Sequence, residues 1–124
     1  MSSSIFDGLS PSEVARIRSA GTTLTLPQGW SPIAEQTPAD KAYILEEGEV
    51  SVRRRGQEVA VLGPGQILGE AAILNRSLRT ASVVALTPLR VIHLTGETLE
   101  RLVVEVPAFG EAVRSATAER QGPS

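Results

Sequence analysis

Gly65-Gln66-Ile67-Leu68-Gly69-Glu70-Ala71-Ala72-Ile73-Leu74, followed closely by Leu78-Arg79-Thr80-Ala81-Ser82-Val83, is the most informative stretch of this sequence. It changes character twice. The apolar pair Ile67-Leu68 gives way to a glycine and then to a run of helix formers, Glu70 to Leu74. Small and β-branched residues follow, which suit a strand. We read Glu70–Leu74 as a short helix inserted between strands.

Outward from this stretch the chain is strand-rich. Short β-type runs cover Thr22–Leu26, Lys41–Glu46, Glu49–Arg54, Glu58–Leu62, Thr80–Leu86 and Leu89–Thr95. Turn residues separate them: Pro27-Gln28-Gly29, Glu47-Gly48, Arg55-Gly56, Gly63-Pro64-Gly65 and Thr87-Pro88. Many short strands at close spacing predict a sandwich, roll or barrel rather than a parallel α/β sheet. Helical patterns flank this region. Ser10 can cap a helix opening at Pro11, with Glu13 completing a capping box and Gly21 ending it. Beyond the strands, Glu97–Glu105 presents Leu99, Leu102 and Val103 on one face. Pro107 ends that helix and can open the next, whose Phe109, Ala112, Val113 and Ala116 follow a helical period. The expected organisation is one domain over residues 1–124. It has an N-terminal helix at about 10–20, strands over about 22–95 and two C-terminal helices at about 97–120, with a frayed Gln121–Ser124 end.

Composition narrows the function classes. Of 124 residues, 41% are hydrophobic and only 3% aromatic, so the core has to be aliphatic. The net charge of −2 gives no broad electrostatic footprint for nucleic acid. Arg53-Arg54-Arg55 is a basic run at a hairpin tip, which reads as a solvated turn. Without cysteine there is no disulfide scaffold, zinc–thiolate site or thiol catalysis. The single histidine, His93, lies within an apolar strand pattern and cannot alone build a metal site or a catalytic triad. Trp30 and Tyr43 read as packing residues. Met1 to Phe6 lacks the charged-then-apolar pattern of a signal peptide, and no apolar run approaches the roughly 20 residues of a membrane span. The expectation is a cytoplasmic protein without catalytic activity.

The residues after Leu68 carry the chemistry. A helix start leaves backbone N–H groups unpaired and attracts an anion. A glycine before it lets a ligand approach the backbone. An arginine entering the next strand can fork onto phosphate oxygens, and a glutamate can accept from sugar hydroxyls. Together they suit a ligand holding one phosphate and one ribose side by side.

Gly69-Glu70 and Arg79-Thr80-Ala81, at this spacing, resemble the phosphate-binding cassette of cyclic-nucleotide-binding domains. Such domains occur in kinase regulatory subunits, cyclic-nucleotide-gated channels and catabolite-activator-type regulators. Ile5-Phe6-Asp7-Gly8-Leu9-Ser10 resembles the family's opening, and Asp40–Val52 resembles its β-hairpin. Thr95–Arg120 resembles its two closing helices. The resemblance implies a mainly β fold with flanking helices: an antiparallel jelly-roll β-roll with an N-terminal helix, a cassette helix and two C-terminal helices. It further implies cAMP or cGMP as ligand, and no cofactor. Arg79 would hold the cyclic phosphate, with backbone N–H groups near Glu70, Ala71 and Ala72 completing the cradle. The Glu70 carboxylate would accept from the ribose 2′-OH. Leu68 would help wall the ribose and base, Gly69 would let the ligand approach the backbone, and Thr80 stands where a hydroxyl in some members favours a guanine base. Two positions depart from the family pattern. Leu68 replaces its aromatic, and Leu78 replaces a proline common before the arginine. The last helix offers Phe109 and Val113 but no obvious residue to cap the base.

Taken without the family, Arg79 and Glu70 could simply pair with each other across an empty loop. No helix-turn-helix, kinase, cyclase or channel segment accompanies the domain in this sequence. The expected output is therefore a protein partner or homodimer engaged through the C-terminal helices, with no direct DNA binding. The competing expectation is a degenerate roll that binds no nucleotide and serves as a protein-interaction module.

Overall fold

The computed structural model describes residues 4–31, 40–74 and 81–120. In chain order they form α1 (Pro11–Ala20), β1 (Thr22–Leu26), β2 (Lys41–Glu47), β3 (Val50–Arg54) and β4 (Gln57–Leu62). Then come β5 (Ile67–Leu68), α2 (Glu70–Leu74), β6 (Ser82–Ala85), β7 (Leu89–Thr95), α3 (Gly96–Glu105) and α4 (Pro107–Arg120). Two sheets result, one ordered β1-β7-β2-β5 and the other β4-β3-β6. Every strand pair is antiparallel. This is the mainly β roll with flanking helices that the sequence predicts.

Alternation along β2 and β7 builds the interior. Side chains of a strand point to opposite faces in turn. Tyr43 and Leu45 of β2, and Leu89 and Val91 of β7, face the second sheet and pack with Val50, Leu68, Val83 and Ala85. Ala42 and Ile44, with Ile92 and Leu94, face the opposite way. There they meet Ile17 of α1, Leu99, Leu102 and Val103 of α3, and Phe109 and Val113 of α4. β2 and β7, in the middle of the four-stranded sheet, are covered on both faces, while the edge strand β1 is largely exposed. The middle strands therefore read as continuous apolar runs rather than as alternating ones.

Local signals set the helix ends. The Ser10 side chain accepts from the Glu13 N–H while the Glu13 carboxylate accepts from the Ser10 N–H at 2.8 Å, closing the capping box. Thr95 caps α3 by accepting from the Thr98 N–H at 3.1 Å. Val106 ends α3, and Pro107 opens α4. The two helices cross closely at Gly110, where a Cβ would stand 2.5 Å from the Val103 carbonyl oxygen.

Three details differ from expectation. β5 escapes sequence analysis because two residues carry no periodicity. The described part of the strand expected at Thr80–Leu86 is Ser82–Ala85. Trp30 is not a packing residue: it is 52% exposed. Its segment is held by backbone bonds to β6, Gly29 N–H to Ala85 carbonyl and Ala85 N–H to Trp30 carbonyl, each 2.8 Å. Those bonds fix the chain there and leave the indole outside. His93 is half-buried and stacks on Tyr43 with ring centroids 5.5 Å apart.

Phe109 is fully buried where α4 meets the sheet. Phe109→Ala is expected to lower unfolding free energy by about 3–5 kcal/mol. Ser10→Ala, which removes only the cap, should cost about 1 kcal/mol. Urea denaturation followed by circular dichroism measures both.

Candidate functional site

The site is built from a turn, a two-residue strand and one turn and a half of helix. The approach is clamped to β2. The Gly65 N–H donates to the Leu45 carbonyl at 2.7 Å, and the Leu45 N–H donates to the Gln66 carbonyl at 2.9 Å. The N-terminal segment locks the same turn from outside, with the Ile5 N–H donating to the Gly65 carbonyl at 2.6 Å. β5 then pairs Ile67 with Ile44 and Leu68 with Tyr43. Ile67 joins the apolar cluster under the helices, and Leu68, only 1% exposed, joins the cluster inside the roll.

At Gly69 the chain turns with φ of +82°, a conformation that costs an L-residue roughly 1–2 kcal/mol. α2 begins at the next residue. Glu70 is fully buried, and it shares that state among polar side chains of the described residues only with Ser51. Burying a polar side chain is costly unless it is compensated, and Glu70 is among the residues that do have an interaction partner. Ala71 is half-buried, and the backbone of Ala72 continues the helix. Ile73 is 5% exposed and enters the helical cluster that holds Phe109 and Val113. α2 thus spans from the roll to the closing helices, touching β2, α3 and α4.

Leu68, Gly69, Glu70, Ala71 and the Ala72 backbone therefore lie in one strand–turn–helix unit. Arg79 and Thr80 lie outside the described residues. Description resumes at Ala81, and Ser82 opens β6 opposite Arg53 of β3. Sequence analysis gave Tyr43 no part in the site, yet the ladder sets it beside Leu68 on the roll face, with His93 on its other side. Its place in an unbroken apolar run gave no signal of this. Phe109 and Val113 are fully buried in the core, so neither is free to cap a ligand. Among the described residues no cluster of His, Cys, Asp or Glu could hold a metal ion. Nor is any helix there long and apolar enough to cross a membrane.

An antiparallel roll interrupted by a strand–glycine–helix insertion, and closed by two helices, defines a ligand-binding regulatory class. The family model for the cyclic nucleotide-binding domain matches residues 23–106, and the chain belongs to that family. A CRP-like cAMP-activated global transcriptional regulator of Mycobacterium tuberculosis is 29% identical over 121 residues, covering 94% of this chain and 54% of that protein. A cAMP-dependent protein kinase regulatory subunit of Neurospora crassa is 31% identical over 121 residues, covering 96% of this chain and 31% of that protein. The crystal structure of Thermus thermophilus catabolite activator protein superposes with a TM-score of 0.83 at 29% identity, covering 94% of this chain and 57% of that one. The chain thus spans about half, or less, of the length of these relatives. The family takes cAMP or cGMP as a ligand rather than as a cofactor.

The positive φ at Gly69 can be tested against an unconstrained glycine nearby. Gly69→Ala should destabilise by about 1–2 kcal/mol. Gly63→Ala, whose Cβ would meet nothing within 4 Å, should change thermal stability little. Differential scanning calorimetry of the two variants reads the contrast.

Proposed function

We propose that residues 1–124 form one cyclic-nucleotide sensor domain, without catalytic activity, that answers cAMP or cGMP by changing the seating of its C-terminal helices. The observation that carries this is the fully buried Glu70 at the first position of α2, directly after the left-handed Gly69. A fully buried glutamate on a short inserted helix suits ligand reception better than loop support alone. In this reading Arg79 forks onto the cyclic phosphate. The N–H groups of the chain after Gly69 complete the cradle, and Glu70 accepts from the ribose 2′-OH. Leu68 backs the ribose from inside the roll, and the Thr80 hydroxyl favours guanine. The net charge of −2 supports no DNA-binding role for this span. We assign the domain to the cytoplasm, consistent with its lack of cysteine.

Transmission follows from α2. Its Glu70 end belongs to the cassette, while Ile73 and Leu74 pack in the cluster with Phe109 and Val113. A ligand that reorders the cassette shifts Ile73, and the shift is felt where α3 and α4 meet. The shift is limited to the ligand's differential affinity for the two arrangements. A protein partner, or a second copy, reads the position of α4.

Calorimetric titration with cAMP and cGMP tests the ligand. One of the two should bind, and Arg79→Ala should weaken it by more than about tenfold, since a charge-assisted hydrogen bond contributes about 1.5–3 kcal/mol. Thr80→Ala should lower the affinity for cGMP relative to cAMP. If neither nucleotide binds at millimolar concentration, the degenerate interaction module becomes the better account.

The relay has its own test. Ile73→Ala should leave nucleotide affinity within about threefold of wild type, a difference under 1 kcal/mol. It should also shrink the ligand-dependent change in hydrogen exchange at α4. An undiminished change at α4 would remove Ile73 from the relay.

A further inference from the structure

The segment before α1 is folded into a compact turn. The Ser4 N–H donates to the Asp7 carboxylate at 3.1 Å, and the Asp7 N–H donates to the Ser4 carbonyl at 3.0 Å. The Phe6 N–H donates to the Ser4 hydroxyl, and the Leu9 N–H to the Phe6 carbonyl, each at 3.1 Å. Two anchors fix this turn. Ile5 is 4% exposed within the helical cluster, and its N–H meets the Gly65 carbonyl. The Arg18 guanidinium lies over the Phe6 ring at 5.5 Å, and its Nη2 pairs with Glu46 Oε2 at 2.8 Å.

Both anchors converge on the root of the cassette. Glu46 follows Leu45, which accepts from the Gly65 N–H and donates to the Gln66 carbonyl. Gly65 is thus held between β2 on one side and the N-terminal turn on the other. A side chain has no room there: with φ of +91°, a Cβ would stand 2.8 Å from the Ser4 Cβ and 2.9 Å from the Ser4 Cα. β5 begins two residues after Gly65, and α2 begins at Glu70. β5 itself pairs with β2 through Ile67 and Leu68 alone, which is little to fix a register. The placing of Leu68, Gly69 and the start of α2 therefore depends on how Gly65 is held.

We propose that the Ser4–Leu9 turn is a positioning strap for the cassette, acting through the Ile5–Gly65 contact, so that displacing it weakens nucleotide binding while every ligand-touching group is kept. The proposal rests on the cyclic-nucleotide reading given above. By linkage, bound nucleotide tightens the strap in return. The N-terminal segment is then a second input to the cassette, distinct from the route through Ile73 to α4.

Gly65→Ala pushes Ser4 aside. Gly29→Ala, at φ of +87° with nothing within 4 Å of its Cβ, carries the same backbone strain without the contact. Hydrogen exchange of the full, ligand-free chain is measured at Ile5 and over β5 and α2, alongside calorimetric titration with cAMP and cGMP. Gly65→Ala should speed exchange at these amides and weaken the bound nucleotide, each at least about fivefold, while Gly29→Ala leaves both within about twofold of wild type. Asp7→Ala, at an exposed residue, removes one bond of the turn and should weaken the nucleotide about threefold, the size of one net hydrogen bond. Asp7→Asn keeps an acceptor oxygen and should restore wild-type binding. If Gly65→Ala fails to fold by circular dichroism, the Asp7 pair decides alone. Unchanged affinity with accelerated exchange at Ile5 overturns the proposal, as does an equal loss in Gly29→Ala or no recovery in Asp7→Asn. A wild type that binds neither nucleotide refutes the sensor reading instead. The strap is then judged by exchange over β5 and α2, and it falls if Gly65→Ala leaves that exchange as in Gly29→Ala.

Discussion

A single layer of backbone, the paired β2 and β7, separates two apolar clusters and has to satisfy both. Ile44 and Ile92 sit side by side on the helical face, while Leu45 and Val91 sit side by side on the roll face. All four are fully buried. A slip of one residue in this register would exchange the two sets and misplace both. The helices are thus seated on the reverse side of the sheet that lines the roll. Events on one face reach the other through, or around the end of, that layer.

α2 goes around the end. It leaves the sheet at β5, turns at Gly69 and returns its Ile73 to the helical cluster. Five residues therefore join the candidate ligand site to the closing helices. α3 is fixed at its own start by the Thr95 cap and by the Gly96 N–H bond to the Asp40 carbonyl at 2.9 Å. Further along, α3 and α4 meet at the Val106–Pro107 break and at the close crossing of Gly110 over the Val103 carbonyl.

Much of the fold was legible because strong local signals agreed with tertiary needs. β1 and β7 fall on their expected runs, and the capping box at Ser10 and Glu13 forms as its residue types predict. The phosphate-cassette pattern pointed to the family that the comparisons establish. Four things were hidden, each for a physical reason. β5 is too short to show a period. Trp30 looked like core by its side chain, but backbone pairing to Ala85 determined its position. The role of Tyr43 as neighbour to Leu68 depends on register between strands distant in sequence, which no local pattern encodes. Burial of Glu70 was likewise invisible, since glutamate is ordinarily a surface residue.

The half-exposed indole has a practical value. Trp30 is the chain's one tryptophan, bonded through its backbone to β6 and standing clear of both apolar clusters. Its emission reports the solvent at that margin of the sheet, while Tyr43 and Phe109 sit within the interior. The protein carries a native optical probe at the edge of its second sheet.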